Sequence, residues 1–288
     1  MSQPTPAPPP AAAIAAAASS EVRSCTPLGS SHAWTLHRGE LADGRPFFAK
    51  VADGCAEALG SEAAGLRWLA EAPGGAAVPE VLAADEGVLV LELVREHRAD
   101  AEAAAELGRR LALTHRAGAP SFGASRPGWL ATLPLDNTPG ERWPEWYARR
   151  RLLPYLRDAR DRAHLDSEDV ALLERVLSRV AALAGPDEPP ARIHGDLWGG
   201  NVLWGPEGAV LIDPAAHGGH RETDLAMLEL FGAPHLDRIL AAYHEAYPLA
   251  EGRRARVPLH QLHPLLAHVC LFGRSYRTPL LDAARRLL

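Results

Sequence analysis

Residues 201–213, NVLWGPEGAVLID, limit the possible folds of this chain more than any other stretch. Two short apolar runs flank the turn residues GPEG, which is the pattern of a β-hairpin. Because a hairpin brings its two ends together, Asp196 and Asn201 near its start should lie beside Asp213 at its end. Carboxylate and amide oxygens of this kind suit a Mg²⁺ ion that substrate phosphates also hold. The sequence therefore predicts a magnesium site made by Asn201 and Asp213.

These three residues have the order and spacing that protein kinases use. An aspartate is followed five positions later by an asparagine, and a second aspartate comes after the next strands. In kinases the first aspartate accepts the proton of the attacking hydroxyl, and the other two residues hold metal. Asp196 is therefore the candidate catalytic base.

Lys50 supports the same interpretation, because it is the only lysine among the 30 lysine and arginine residues of the chain. Kinases use a lysine on a strand of the small lobe to contact the α- and β-phosphates, and pair it with a helix glutamate. Lys50 ends an apolar strand pattern, and Glu62 opens the next helix. An ammonium is a compact point charge, whereas a guanidinium is a wide planar fork, so a slot shaped for one does not seat the other.

The periodicity of apolar residues divides the chain into a strand-rich part and a helical part. Residues 21–94 alternate in the manner of strands, with one helix over 61–72. Residues 95–288 are mainly helical in pattern, beginning with a helix that Asp100 caps. Residues 1–20 are rich in proline and alanine and predict a disordered tip followed by a short helix. We expect a bilobal α+β fold, with a small β-rich N-lobe that binds nucleotide and a larger helical C-lobe for catalysis and substrate.

Charge and cysteine content exclude several classes of partner. The formal net charge is −6 and no basic tract is present, so we expect neither a nucleic-acid nor a membrane surface. The three cysteines are widely spaced and form neither a metal pattern nor a disulfide framework, which favours a reducing cytoplasm. The oligomeric state is left open by the sequence.

Each candidate residue alone has a more ordinary explanation. A strand-end lysine commonly extends into solvent, a helix glutamate is commonly solvated, and an aspartate commonly belongs to a turn. Chance is a poor explanation for their joint order along the chain, which is Lys50, Glu62, Asp196, Asn201 and Asp213.

Other features are less specific. LGSSH at 28–32 is a weak phosphate-loop pattern and fits a plain turn before a strand equally well. Asp224 suits the capping of a helix at least as well as a catalytic role. Four histidines invite a zinc site, but no carboxylate or cysteine pattern supports one, which favours surface or packing roles. These histidines are His217, His220, His260 and His263.

The segment after Asp213 bears on the acceptor. PAAHGGHRETD leads directly into a helical pattern, without a long activation segment or an A-P-E motif. A protein substrate therefore lacks the usual platform, and we expect a small-molecule kinase.

HGDLWGGN at 194–201 and DPAAHGGHRETDLAMLELFG at 213–232 closely resemble the fructosamine/ketosamine-3-kinase family, a branch of the aminoglycoside-phosphotransferase and protein-kinase-like fold. The resemblance extends over most of the chain and includes SEAAGLRWL in the N-lobe and HVCLFGRSY near the end. It implies ATP-dependent phosphorylation of the sugar 3-hydroxyl on a free or protein-bound ketosamine, a step that reverses glycation. Some relatives carry a redox cysteine in the phosphate loop, but LGSSH has serines, so no redox switch is carried over.

The motifs and the resemblance together predict a nucleotide site. Lys50, oriented by Glu62, would hold the α- and β-phosphates of ATP. The backbone of Glu92, Leu93 and Val94, in the connection between the lobes, would meet adenine.

They also predict the reacting groups. Asn201 and Asp213 would hold Mg²⁺, and Asp196 would orient and deprotonate the sugar hydroxyl. Trp198 would form a wall against the sugar, and packing beneath the loop is its alternative role. Two rival functions stay open. A kinase of aminoglycosides or amino alcohols would favour a strongly acidic pocket, which RWPEWYARRR at 142–151 does not indicate, and a non-catalytic nucleotide-binding protein would not need the complete residue set.

Overall fold

The computed structural model describes residues 9–288, in which a five-stranded antiparallel sheet precedes a mostly helical region. The sheet has the spatial order β1-β2-β3-β5-β4. Its strands are β1 (Val22–Ser31), β2 (Trp34–Leu41), β3 (Pro46–Ala52), β4 (Val81–Asp85) and β5 (Val88–Glu92). The predicted two-lobed α+β fold is therefore confirmed. The proline-rich tip falls on residues outside the described range, whereas the short alanine-rich helix is α1 (Pro10–Ala18).

Two helices cover opposite faces of the sheet because side chains alternate along each strand. Phe47 and Ala49 of β3 pack in the cluster that contains Ile14 of α1. Phe48 of β3 packs in the cluster formed with α2 (Ala56–Ala70), which contains Leu59 and Leu66. Lys50 lies two positions after Phe48, so the pleat places it on the face that α2 covers.

The C-lobe is built from helices with three short two-stranded antiparallel sheets between them. Its elements are α3 (Ala101–Arg116), β6 (Gly128–Leu130), β7 (Leu133–Leu135), α4 (Trp143–Tyr147), α5 (Leu153–Asp161), α6 (Ser167–Leu177), α7 (Val180–Leu183), β8 (Ala191–Ile193), β9 (Val202–Gly205), β10 (Gly208–Leu211), β11 (His217–Gly219), α8 (Glu222–Phe231), α9 (Leu236–Ala246), α10 (Arg253–Phe272) and α11 (Arg277–Arg285). The three sheets pair β6 with β7, β8 with β11 and β9 with β10. The Asp100 side chain accepts the N–H groups of Glu102 and Ala103 at 2.9 Å and 2.8 Å, which confirms the predicted cap of α3.

The predicted hairpin of residues 201–213 is confirmed and lies at the junction of the lobes. Strands β9 and β10 pair antiparallel, with Val202 opposite Leu211. The Ile212 N–H donates to the Asn201 carbonyl oxygen at 3.0 Å, so the two ends of the hairpin meet. The Leu211 N–H donates to the Ala77 carbonyl oxygen of the N-lobe at 2.8 Å. The hairpin is thereby fixed to both lobes.

Within residues 9–288, none of the helices combines the length and the apolar character that a bilayer span requires.

Candidate active site

Lys50 and Glu62 form a buried ion pair between the N-lobe sheet and α2. Lys50 Nζ lies 2.9 Å from Glu62 Oε1 and 2.8 Å from Oε2. The same Nζ lies 2.7 Å from Asp213 Oδ1, which follows the C-lobe hairpin. Burial opposes the charge of Lys50, but the Glu62 and Asp213 carboxylates outweigh it and raise the pKa of the lysine, so the group remains an ammonium. The structure therefore joins predicted nucleotide and metal residues of both lobes in one charged network.

The loop that carries Asp196 is anchored by a fully buried carboxylate. Asp224, in the first turn of α8, accepts the N–H of His194 at 2.7 Å and the N–H of Gly195 at 2.9 Å. His115 Nε2 of α3 lies 3.1 Å from the same carboxylate. Burial alone would raise the pKa of Asp224, but its hydrogen bond to His115 and its neighbours lower it, so the carboxylate keeps its charge. Asp224 thus positions the catalytic loop, a role that neither a simple helix cap nor a reacting group describes.

Asn201 connects the candidate base Asp196 to the candidate metal position. Its Nδ2 donates to the Asp196 carbonyl oxygen at 2.8 Å and to Asp196 Oδ2 at 3.0 Å. Burial, together with the nearby Asp213 carboxylate, raises the pKa of Asp196 to about 7, against the opposing effect of the Asn201 bond. A carboxyl group with a raised pKa is a common property of general bases in clefts.

The donor set of the hairpin ends fits a magnesium ion. Within residues 9–288, no hydrogen-bond donor contacts the amide oxygen of Asn201 or the second carboxylate oxygen of Asp213. Asp213 has φ +55°, in the left-handed region that aspartate tolerates better than most residues. Oxygens of this kind would suit a Mg²⁺ ion that substrate phosphates also hold.

A cleft of about 510 Å³ runs between the lobes beside their connection. Glu92, Leu93 and Val94, whose backbone the sequence predicts to meet adenine, line it. The Leu93 N–H donates to the Pro46 carbonyl oxygen at 3.3 Å, whereas the Val94 N–H makes no hydrogen bond within residues 9–288. Its apolar lining includes Leu28, Phe48 and Leu91 from the N-lobe and Leu203 and Ile212 from the C-lobe. This apolar lining and the free Val94 N–H would suit a flat apolar base that accepts one hydrogen bond.

A second cavity of about 190 Å³ lies where the catalytic residues meet. Lys50, Asp196, Asn201 and Asp213 all line it, as do Glu62 and Trp198. Trp198 is 41% exposed, so it is not a core residue beneath the loop. A Cβ atom on Gly200 would overlap the Trp198 ring, and the Phe231 ring contacts the indole edge at a centroid distance of 6.1 Å. The indole is therefore fixed against the loop while it remains open to a ligand.

Comparison with known proteins identifies the family. The sequence model of the protein family described as "Fructosamine kinase" matches residues 16–288. The chain belongs to the fructosamine kinase family. It is 39% identical over 218 residues to a Thermus thermophilus protein named "probable ketoamine kinase", with 75% of this chain and 77% of that one covered. A solved Thermobifida fusca structure assigned to fructosamine-3-kinase is 55% identical, with a TM-score of 0.93 over 96% of this chain and 98% of that one.

More distant structures share the fold. Macrolide 2'-phosphotransferase type I is 18% identical and has a TM-score of 0.61, with 96% of this chain and 94% of that one covered. The resemblance predicted from HGDLWGGN and the protein-kinase-like fold are therefore confirmed. This member of the fructosamine kinase family is a kinase, a phosphotransferase whose co-substrate is ATP.

The LGSSH segment lies mostly within a strand, so the predicted plain turn is reduced to its last residue. Residues 28–31 end β1, and His32, at φ +52°, makes the turn into β2. Ser31 and His32 line the 190 Å³ cavity beside Lys50. In this fructosamine kinase family member, the end of the segment makes the turn into β2 and faces the position expected for the phosphates.

The histidines have packing roles, because all four are buried. Ligand atoms of His220, Glu222 and His260 lie within 4.8 Å of one another. However, Glu222 Oε1 and Oε2 already accept Arg256 Nη2 at 2.6 Å and Arg256 Nε at 3.0 Å. The arginine supplies the positive charge that a metal would bring, so this cluster needs no cation.

Proposed function

We propose that the protein transfers the γ-phosphoryl group of ATP to the 3-hydroxyl of ketosamines, which are adducts of a reducing sugar with an amine. The observation that supports this most is the 190 Å³ cavity, in which the half-exposed Trp198 stands beside Asp196 and Lys50. Sugar C–H faces stack well on aromatic rings. A sugar stacked on Trp198 would hold one hydroxyl at a fixed distance from the Asp196 carboxylate. The phosphorylated adduct is less stable, so the reaction would begin deglycation of a free or protein-bound amine.

The geometry supports a mechanism based on positioning and charge neutralisation. Lys50, held by Glu62, would bind the α- and β-phosphates in place of its present contact with Asp213. Asn201 and Asp213 would hold Mg²⁺, which would supply charge neutralisation for the transferred phosphoryl group. Asp196 would accept the proton as the sugar oxygen bonds to the γ-phosphorus and the bond to ADP breaks.

The charge of the acceptor cavity favours a ketosamine over a polycationic aminoglycoside. Its carboxylates are Glu62, Asp196 and Asp213. Lys50 pairs with Glu62 and Asp213, and Asp196 is the proposed base. The cavity therefore has no further acidic group for additional ammonium groups. A non-catalytic nucleotide-binding role is disfavoured because every residue of the reacting set is present and assembled.

An ADP-release screen tests the proposal. Ribulosamine, erythrulosamine and fructosamine derivatives of free lysine, the same adducts on a peptide, and an aminoglycoside would be compared with a buffer blank. We expect ketosamine-dependent ADP release, with phosphate on O3 by NMR, that the Asp196→Asn variant loses. Turnover of the aminoglycoside alone, or ATP binding without any acceptor-dependent release, would contradict the proposal.

A further inference from the structure

Trp129 lies in the acceptor cavity, although neither the motifs nor the charge pattern of the sequence indicates it. It belongs to the C-lobe hairpin of β6 and β7, where it pairs opposite Pro134. The hairpin reaches the N-lobe, because β6 contacts α2 and half-buried Trp129 packs against the N-lobe cluster that contains Trp34 and Leu59. Trp129 is therefore supported by the β6–β7 hairpin and the N-lobe, whereas Trp198 belongs to the loop that carries Asp196.

The cavity has an apolar lining to which this hairpin contributes, beside the polar residues Ser31, His32 and Asn201. The apolar residues include Trp129, Leu130, Ala131, Trp198, Pro214 and Ala215. The charged lining consists of Lys50 with Glu62 and Asp213, which are paired with one another, and Asp196. A cation that enters with the acceptor therefore meets no carboxylate beyond those paired with Lys50 and the proposed base Asp196. Of the three indole rings that line the cavity, Trp34 already has Lys50 Nζ 5.6 Å from its centroid, which leaves Trp129 and Trp198.

The chemistry of a ketosamine would bring a cation into this cavity. Its secondary amine is attached to C1, two carbon atoms from C3, whose hydroxyl would lie at Asp196. The nitrogen is thus a few ångströms from the reacting oxygen, inside the same small cavity. A desolvated ammonium is attracted to the face of an aromatic ring, and tryptophan is the strongest such partner.

We propose that Trp129 recognises the protonated amine of the acceptor through its indole face, so that an aromatic ring selects amine-bearing sugars. This inference rests on the proposed function. The proposed function assigns the sugar 3-hydroxyl to Asp196, and the inference assigns the amine of the same ketosamine to Trp129. Trp129 is a specificity residue under this assignment and takes no part in proton or phosphoryl transfer.

The test compares two ligands that differ at one atom. One is 1-butylamino-1-deoxyfructose, and the other is 1-O-butylfructose, in which an ether oxygen replaces the amine. Dissociation constants are measured at pH 7 on the full chain with Mg²⁺ and a non-hydrolysable ATP analogue. The wild-type protein should bind the amine more tightly than the ether, and Trp129→Leu should reduce that preference by roughly 3- to 30-fold.

Two further variants test whether the preference for the amine ligand over the ether ligand depends on the Trp129 ring. Trp129→Phe keeps a ring and should lose less of the preference, which also provides a measurement if Trp129→Leu does not fold. Trp68→Leu is the matched control, since Trp68 lies on α2 with Arg192 over its ring at 4.6 Å and does not line the cavity. An unchanged preference in both Trp129 variants, or equal binding of both ligands by the wild type, would overturn the proposal even if every affinity fell.

Turnover of the same two ligands separates this inference from the proposed function. If the wild type phosphorylates neither ligand but binds the amine through Trp129, the proposed reaction fails and the aromatic recognition stands. If it phosphorylates both ligands and the Trp129 variants do not alter the preference, the reaction stands and the aromatic recognition fails.

Discussion

Lys50 Nζ lies 2.7 Å from Asp213 Oδ1, so the chain's one lysine joins the N-lobe sheet to the carboxylate at the end of the C-lobe hairpin. Both groups are also the proposed contacts of Mg²⁺–ATP, the lysine for phosphate and the carboxylate for metal. Nucleotide binding would then replace an interaction within the protein by two interactions with the ligand. The ion pair with Glu62 remains throughout and keeps the ammonium in the cleft.

Lys50→Arg tests whether the site requires a compact ammonium group and not only a positive charge. The substitution keeps the positive charge but places a planar fork in a buried slot whose three contacts are all at 2.7–2.9 Å. We expect kcat/KM to fall by at least roughly tenfold, or about 1.4 kcal/mol of transition-state stabilisation. Steady-state kinetics with a melting curve on the same sample measures this, and normal turnover would mean that the lysine is an accident of coding.

The assignment of the base is tested by Asp196→Asn. Asparagine keeps an oxygen that can accept the Asn201 Nδ2–H, so the loop should remain in place. We expect kcat to fall by roughly 10²- to 10⁴-fold, the usual effect of losing a general base, while ATP affinity stays nearly intact. ATP affinity is measured separately by titration calorimetry. A variant with wild-type kcat would remove Asp196 from this role.

The anchoring of the loop is tested by Asp224→Asn. One of the two oxygens that accept the His194 and Gly195 N–H groups would become an NH₂ group facing a donor. Leaving a buried backbone donor unsatisfied costs about 1–3 kcal/mol, so we expect a lower melting temperature together with reduced kcat. Thermal denaturation and kinetics on one preparation provide the two values. Loss of kcat with an unchanged melting temperature would instead indicate a direct part in the reaction.

The sequence predicted those parts of the site that depend on local pattern. The hairpin ends met as expected because GPEG is a local turn signal, and Lys50 faced Glu62 because strand alternation sets the face of each side chain. Asp224 was ambiguous because its backbone partners lie about 30 positions earlier in the chain. Trp129 was missed because β6 has three residues, too few to show a period, and its place in the cavity depends on packing against α2.

The role of Trp198 is tested by Trp198→Ala. A buried core tryptophan would cost about 3–5 kcal/mol of stability when cut to alanine. Trp198 is 41% exposed and lines the acceptor cavity, so we expect a small change in melting temperature and a strongly raised KM for ketosamine, with KM for ATP little changed. A large fall in melting temperature with unchanged ketosamine KM would show that the indole is a packing residue and that the sugar lies elsewhere.

The position of the indole, as distinct from its presence, is tested by Gly200→Ala. A Cβ atom at this position would overlap the Trp198 ring, so the ring must move while every functional group stays in the protein. We expect a raised ketosamine KM in the same direction as Trp198→Ala, but smaller. The control is Gly60→Ala on α2, where a Cβ atom meets no heavy atom within 4 Å and helix propensity favours alanine. If Gly200→Ala and Gly60→Ala have the same ketosamine KM, acceptor binding does not depend on the present position of the Trp198 ring.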